Sequence, residues 1–421
     1  MCTERTSPQA SPSDEEQDKH NLIICNPPYV RHHQIVSDDK VRLQDLTEPI
    51  FGERISGLAG LYCYFLALSD RWMRKDGIAG WLIPSEFMDV NYGKPVKRYL
   101  LEKVTLLRIH RFAPQDVQFR DALVSSAVVW FRKSPPPADY SVEFSFGGTL
   151  MTPKVSKSIS SQLLTDEPKW TRYPMAKERE AVSGAKLGDI FSVRRGLATG
   201  DNNFFVLARE DILKRGLPFT VFRPVLPSPR FLKVDEVFAD GEGNPTVAPQ
   251  LFLLDCRLPP GFVKDHYPAL WEYLEEGRRM GVSERYLCRS RSPWYLQESR
   301  PPSPFICTYM GRSASKRPSP FRFILNHSAA TVTNSYHLLY PQKELEMALV
   351  QNQALAKAIW MILKEIEPED MVSEGRIYGG GLHKIEPKEL SKVPAKQIAH
   401  LLLRTCTPKE TQLELFTGGL L

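Results

Sequence analysis

The stretch that most constrains this chain is Asn21–Tyr29, in which the apolar run Leu22-Ile23-Ile24-Cys25 meets Asn26-Pro27-Pro28-Tyr29. A short unbroken apolar run suits a strand buried inside a sheet. The two prolines end it. Each fixes its own φ and lacks an N–H, and each pushes the residue before it toward extended backbone. The segment therefore reads as a strand that stops in a stiff loop, with the acceptor groups of that loop held in set directions.

Those acceptors suggest a chemistry. The exocyclic amine of adenine is a poor nucleophile because its lone pair is delocalised into the ring, so it needs polarisation rather than a strong base. The Asn26 side-chain oxygen and the Pro27 carbonyl can accept its two N–H groups. Pro28 stiffens the loop, and Tyr29 offers a ring on which a base flipped out of a duplex can stack. The plainer alternative is a strand that has run into a Pro-Pro turn.

Length and composition leave room for two or three domains, and 42% hydrophobic residues suffice for real cores. No apolar stretch reaches membrane-spanning length, and the N-terminus is acidic and rich in Ser and Pro. A membrane span and a secretory signal are therefore not expected, and the cytoplasm is the expected location. The seven cysteines, at 2, 25, 63, 256, 288, 307 and 406, contain no Cys-x-x-Cys pair. They read as reduced thiols, not as a disulfide framework or a zinc site. The net charge is +6, but residues 1–20 hold five acids and two bases, which leaves +9 on the remainder. That mild basic excess is compatible with a nucleic-acid partner.

Residues 1–20 carry few apolar side chains and are expected to be a disordered acidic tail. After the motif, His32-His33 lacks further ligands at suitable spacing, so a loop or a DNA-facing position is expected and no metal is assigned. Leu61, Phe65, Leu68 and Trp72 fall on one helical face over residues 61–74, and Lys75-Asp76-Gly77 is expected to end that helix. A buried strand over 78–83 and a helix over 92–103, with Val96, Tyr99 and Leu100 inward, continue the rhythm of a doubly wound α/β sheet. Strands over 104–112 and 123–131 follow, joined by a connection short enough for an antiparallel pair.

Asn26-Pro27-Pro28-Tyr29 resembles motif IV of the DNA amino-methyltransferases. With Val30-Arg31 it is similar to the gamma-class N6-adenine enzymes of restriction-modification systems. Leu61-Tyr62-Cys63-Tyr64-Phe65, Asp76-Gly77 through Ile83-Pro84-Ser85-Glu86-Phe87, and Phe119 through Val124-Ser125 are similar to motifs V, VI and VIII, in order. The resemblance implies a Rossmann-like sheet ending in an antiparallel pair. It also places Phe119 as a second aromatic against the flipped adenine, where the alternative is a Phe plugging the sheet edge. Gly60 departs from the family, which usually has a polar residue before Leu-Tyr.

Ser134-Pro135-Pro136-Pro137-Ala138-Asp139 is a stiff polar break, read as a linker at 135–139 between a catalytic half over 21–134 and a mixed α+β domain over 140–400. Residues 401–421 form the expected tail. Within the second domain, Val193 to Phe205 puts Arg194 and Arg195 before a Gly-rich turn that could equally be a plain hairpin. Residues 278–326 interleave Arg289, Arg291, Arg312 and Arg317 with Trp294, Tyr295 and Phe305. That mixture suits a surface that tracks a nucleic-acid backbone, although such runs are commonly just solvated. Tyr378-Gly379-Gly380-Gly381 lies too far from a strand–helix junction to be a phosphate loop. These segments resemble the family's target-recognition domain, which implies double-stranded DNA as partner. Gln412 to Phe416, with Gln412, Leu415 and Phe416 as anchors, resembles the bacterial sliding-clamp binding motif; a tail folded back on its own domain is the alternative.

The resemblance also implies S-adenosylmethionine, bound at a Gly-rich turn after a first strand and a carboxylate after a second. Only 20 residues precede Asn21, whereas three strands with crossover helices need on the order of 80. The cofactor site is therefore expected from a partner methyltransferase subunit, with this chain active only beside it. The alternative from another class is a non-enzymatic DNA-binding specificity subunit derived from a methyltransferase. The intact Asn26–Tyr29 and Phe119 favour the enzyme.

Overall fold

The structure is a computed structural model that describes residues 19–113, 116, 118, 125–175, 184–313, 319–378 and 381–406. The chain forms two units, residues 1–180 with Ile377–Gly381, and Ala181–Arg376 with residues from Leu382 onward.

The first unit is built on a six-stranded sheet of β1 (His20–Cys25), β2 (Met73–Pro84), β3 (Thr105–Arg111), β4 (Ser126–Arg132), β5 (Ser141–Gly148) and β6 (Pro153–Ser160) in the order β1-β2-β4-β3-β5-β6. β1 and β2 are parallel, β4 runs antiparallel to both β2 and β3, and β3 is parallel to β5. This is the mixed α/β sheet with the antiparallel β3–β4 pair that the sequence predicts.

Alternation sorts the strand residues onto two faces. Ala79, Trp81 and Ile83 of β2, Ala127, Val129 and Phe131 of β4, and Val142 and Phe144 of β5 form one continuous core. Into it pack Leu43 and Phe51 of α1 (Ser37–Phe51), Tyr62 to Ala67 of α2 (Leu61–Ser69), and Val96 of α3 (Lys94–Arg98), which continues as a π-turn over Tyr99–Lys103. The opposite face is less covered. Leu22 and Ile24 of β1 are 59% and 65% exposed, and β1 pairs only with β2 among the described residues.

Three expectations shift. α2 stops at Ser69, and Lys75-Asp76-Gly77 lies inside β2 as a bulge, with Asp76 at φ +61°; aspartate tolerates that conformation better than most residues. Leu61, Phe65, Leu68 and Trp72 are only half-buried, whereas Tyr62, Cys63, Tyr64, Leu66 and Ala67 are buried, because a helix apolar all round carries no periodic signal to orient it. The Pro-rich segment at 135–139 is not the domain boundary. It joins β4 to β5 of one sheet, and Thr105 Oγ1 donates toward the Ser134 and Pro135 carbonyls at 3.0 and 3.2 Å. Prolines that stiffen a linker equally well stiffen a tight connection within a sheet.

The second unit has a five-stranded sheet in the order β10-β14-β12-β15-β7 and a three-stranded sheet β8-β11-β9. Its strands are β7 (Phe191–Arg195), β8 (Val206–Ala208), β9 (Phe222–Val225), β10 (Glu236–Val237), β11 (Leu251–Leu254), β12 (Phe305–Thr308), β13 (Met310–Gly311), β14 (Phe323–Asn326) and β15 (Tyr336–Pro341). β13 pairs with the strand Leu382–Lys384. Both faces of β12 and β14 are buried. Phe305, Cys307, Phe323 and Leu325 pack with Leu355, Ile359, Trp360 and Leu363 of the helix Ala354–Lys364, and Ile306 and Ile324 pack with Leu226, Leu232 and Val332. No helix among the described residues is long and apolar enough to cross a membrane.

Candidate active site

Because β1 and β2 are parallel and β3 shares their direction, all three carboxyl ends open on one side of the first sheet. The crevice outside the carboxyl ends of parallel strands is where open α/β sheets bind ligands. Asn26-Pro27-Pro28-Tyr29 leaves β1 there. Pro27 is buried, Asn26 is exposed, and the Asn26 side chain makes no hydrogen bond to a described residue. The half-buried Tyr29 donates its hydroxyl to the Leu82 carbonyl of β2 at 2.9 Å. Burial pushes the Tyr29 phenol above its usual value, so it stays a neutral donor tethered to the sheet.

The far end of the loop is tied down too. Val30 O accepts the Leu61 N–H at 3.0 Å, supplying the partner that the first turn of α2 needs. Gly60 sits at that junction, where a Cβ would come within 3.0 Å of the Tyr62 ring. The residue departing from the family is thus one that lets Tyr62 pack against the loop.

The end of β2 adds a cluster that residue spacing alone does not mark. Ser85 donates its N–H and its Oγ–H to Ser125 O at 2.8 and 3.0 Å. Tyr92 donates to Glu86 Oε2 at 3.2 Å, and its hydroxyl lies 3.4 Å from that of Tyr62. Burial raises the Tyr62 and Tyr92 phenols and pushes the Cys63 and Cys25 thiols up to about 12 and about 11. These tyrosines and thiols are therefore protonated and neutral at physiological pH. Tyr62 and Glu86 stand within the segments resembling motifs V and VI, which was the available signal for them.

Phe119 lies outside the described residues. The strand ends that flank its segment, Arg111 and Ser126, belong to the same rim, since Ser126 pairs with Pro84 and Arg111 with Ala127.

In the second unit, Arg194 and Arg195 are exposed on β7, an edge strand paired to β15. The chain then turns through Gly196, where an added Cβ would lie 2.2 Å from Thr333 O, and enters a short helix at Asn202. It is a turn into a helix, not a hairpin. Asp201 accepts the Asn203 N–H and pairs with Arg285 at 2.9 Å.

Arg291 faces inward, with its terminal nitrogens donating to Ala198 O, Thr199 O and Gln297 Oε1 at 2.7, 2.9 and 3.1 Å. It holds the turn. Arg289 and Arg312 are exposed. The aromatics expected on a shared surface do not join them. Tyr295 and Phe305 are each 1% exposed, and Trp294 packs on Phe204 and Phe205. Alternating composition here reflects alternating burial. Arg317 and the tail residues Gln412, Leu415 and Phe416 lie outside the described residues.

S-adenosylmethionine needs a Gly-rich turn between a strand and a helix, followed by a ribose carboxylate. Gly77 and Gly80 lie inside β2, and Gly196 and Gly200 lie in the second unit. Of these, Gly196 and Gly200 stand between β7 and the four-residue helix Asn202–Phe205.

Residues 167–411 match the family model for the type II methyltransferase M.Eco57I, C-terminal domain, and residues 3–118 match that for the Eco57I restriction-modification methylase. Type II methyltransferase M.XamI of Xanthomonas campestris pv. amaranthicola is 28% identical over 382 residues, covering 90% of this chain and 68% of the relative. Type II methyltransferase M.AccI of Acinetobacter calcoaceticus is 25% identical over 396 residues, covering 89% and 69%. The solved type IIL restriction-modification enzyme MmeI, in complex with DNA, aligns with 94% of this chain and 56% of its own at a TM-score of 0.49 and 13% identity. The chain thus spans part of each relative's length. With more than half of its residues matched by one family model, it belongs to the M.Eco57I family of type II restriction-modification methyltransferases.

Proposed function

We propose that this chain carries the methyl-acceptor and target-recognition parts of an adenine-specific DNA methyltransferase. The observation that supports it is Asn26, exposed and without a hydrogen-bond partner among the described residues at the carboxyl end of β1, beside a Tyr29 ring tethered to Leu82. A flipped adenine stacked on Tyr29 would present its N6 amine to Asn26 Oδ1 and Pro27 O. As the amine attacks, its nitrogen gains positive charge, and the two oxygens stabilise that charge more than they stabilise the ground state. No strong base is needed, in keeping with the neutral tyrosines and thiols around the rim. The family resemblance makes Phe119 the candidate for a second ring against the adenine.

S-adenosylmethionine supplies the methyl group. Its site is assigned to strands that pair on the edge of β1 left unpaired among the described residues, provided by a partner methyltransferase subunit or by other sequence of the same polypeptide. The exposed Leu22 and Ile24 support this, since an unpaired apolar edge is a liability that proteins ordinarily cover. In the second unit, Arg194, Arg195, Arg289 and Arg312 are the DNA-facing candidates, while Arg291 acts through the turn it holds.

The test is nucleoside analysis by mass spectrometry of DNA treated with the assembled enzyme. N6-methyladenine is expected. Methylated cytosine alone would overturn the adenine assignment, and sequence-specific binding without any methylated base would point to a specificity subunit.

A further inference from the structure

Arg195 leaves β7 over the ring of Tyr309, its guanidinium carbon 4.1 Å from the ring centroid, and its Nε donates to Asn334 O at 3.1 Å. The ring is itself fixed. Tyr309 is 3% exposed and donates its hydroxyl to Glu386 Oε1 at 2.9 Å, and Glu386 pairs with Lys384 at 2.9 Å. Lys384 Nζ lies 5.1 Å from the same ring centroid, and the buried His337 meets the ring edge-on at 5.2 Å. Two independent contacts therefore set the plane of an exposed guanidinium, while its two terminal nitrogens have no acceptor among the described residues. Arg194, next on the strand, faces the other side of the sheet and makes no hydrogen bond to a described residue.

The contrast between neighbours is informative. A phosphate is held adequately by a flexible cation such as Arg194, because charge does most of the work. A guanidinium fixed on an aromatic ring keeps its two-pronged edge in one plane, which is of most use where two acceptors lie coplanar at set positions. The major-groove edge of guanine, with O6 and N7, is such a pair. We propose that Arg195 is a specificity-determining residue that reads a guanine in the recognition sequence, with Tyr309 and the Asn334 carbonyl as its positioning partners. This rests on the reading of the chain as a DNA-recognising methyltransferase.

The test is enrichment of randomised duplex DNA by the full-length protein, which needs no methyl transfer. Wild type is expected to enrich a motif containing a guanine. Arg195→Lys keeps the charge and loses the fork, and should lower the preference for guanine at one position by on the order of 5- to 150-fold with the other positions intact. Arg194→Lys should leave the motif unchanged. Tyr309→Phe keeps the ring and should retain the guanine, whereas Tyr309→Leu should approach Arg195→Lys; if it fails to fold, Arg195→Lys carries the test. An unchanged motif for Arg195→Lys would overturn the assignment. So would a uniform loss of affinity with a shallower salt dependence, which marks a phosphate contact. If wild type enriches no sequence, the DNA-recognition reading fails and this inference falls with it.

Discussion

Asn26→Ala removes an oxygen used chiefly as charge develops on the amine. Turnover of the assembled enzyme is expected to fall by about 3 kcal/mol or more in barrier, with DNA affinity within a few-fold of wild type. Turnover above about a tenth of wild type would dismiss Asn26 as an acceptor. Tyr29→Ala should cost roughly 1 to 3 kcal/mol in holding the flipped base, read from 2-aminopurine fluorescence at the target position. An unchanged signal would return Tyr29 to the core. A titration prediction belongs at this scale too. Burial holds the His337 imidazole down to about 4 from its usual 6.5, and its Nε2 donates to Ile385 O at 2.8 Å. The unfolded chain therefore binds the extra proton first, so this stability is complete above pH 6.5 and lost as pH falls toward 4. The loss is on the order of 3 kcal/mol. Denaturant midpoints across that range should slope for wild type and flatten for His337→Gln. The loop that carries Asn26 and Tyr29 at the end of β1 was legible in the sequence because prolines act locally. Arg291 was not, because its acceptors Ala198 and Thr199 lie more than ninety residues away, and nothing local shows an arginine turned inward.

At the scale of elements, β1 and the turn after β7 carry the testable weight. Leu22→Ser with Ile24→Ser alters side chains that are 59% and 65% exposed. The single chain should lose little stability and aggregate less, while its assembly with the cofactor-binding strands weakens. Light scattering and co-purification measure the two effects, and assembly unaffected by the double change would remove this edge from the interface. Gly196→Ala brings a Cβ against the Thr333 carbonyl backbone, which should cost about 2 kcal/mol or more and appear as a lowered unfolding midpoint. β2, β3 and β4 were visible as apolar runs. The end of α2 was not, because Asp76 at positive φ continues β2 as a bulge where Lys-Asp-Gly resembles a stop. Pro135 to Pro137 misled for a related reason. Stiffness is evident in sequence, but whether a stiff segment joins two domains or two strands depends on Val142 and Phe144, which are buried in the first core.

For the whole molecule, the family matches and the mixed α/β sheet of the first unit agree on a restriction-modification methyltransferase chain. That Gly196 and Gly200 stand between β7 and the short helix Asn202–Phe205 needed coordinates. That one edge and one face of the first sheet are comparatively bare among the described residues also needed coordinates. We propose that the acceptor groups lie at the end of β1 and that the cofactor groups lie on strands that pair beside it. The most direct test is calorimetry with S-adenosylmethionine, paired with transfer of labelled methyl to DNA, on the purified 421-residue chain before and after adding a polypeptide that supplies the cofactor-binding strands. Expected are no cofactor binding and no label for the chain alone, and label on DNA once the strands are added, because acceptor residues without a positioned donor give no useful rate. Micromolar cofactor binding, or catalytic labelling of DNA by the single chain, would contradict the claim.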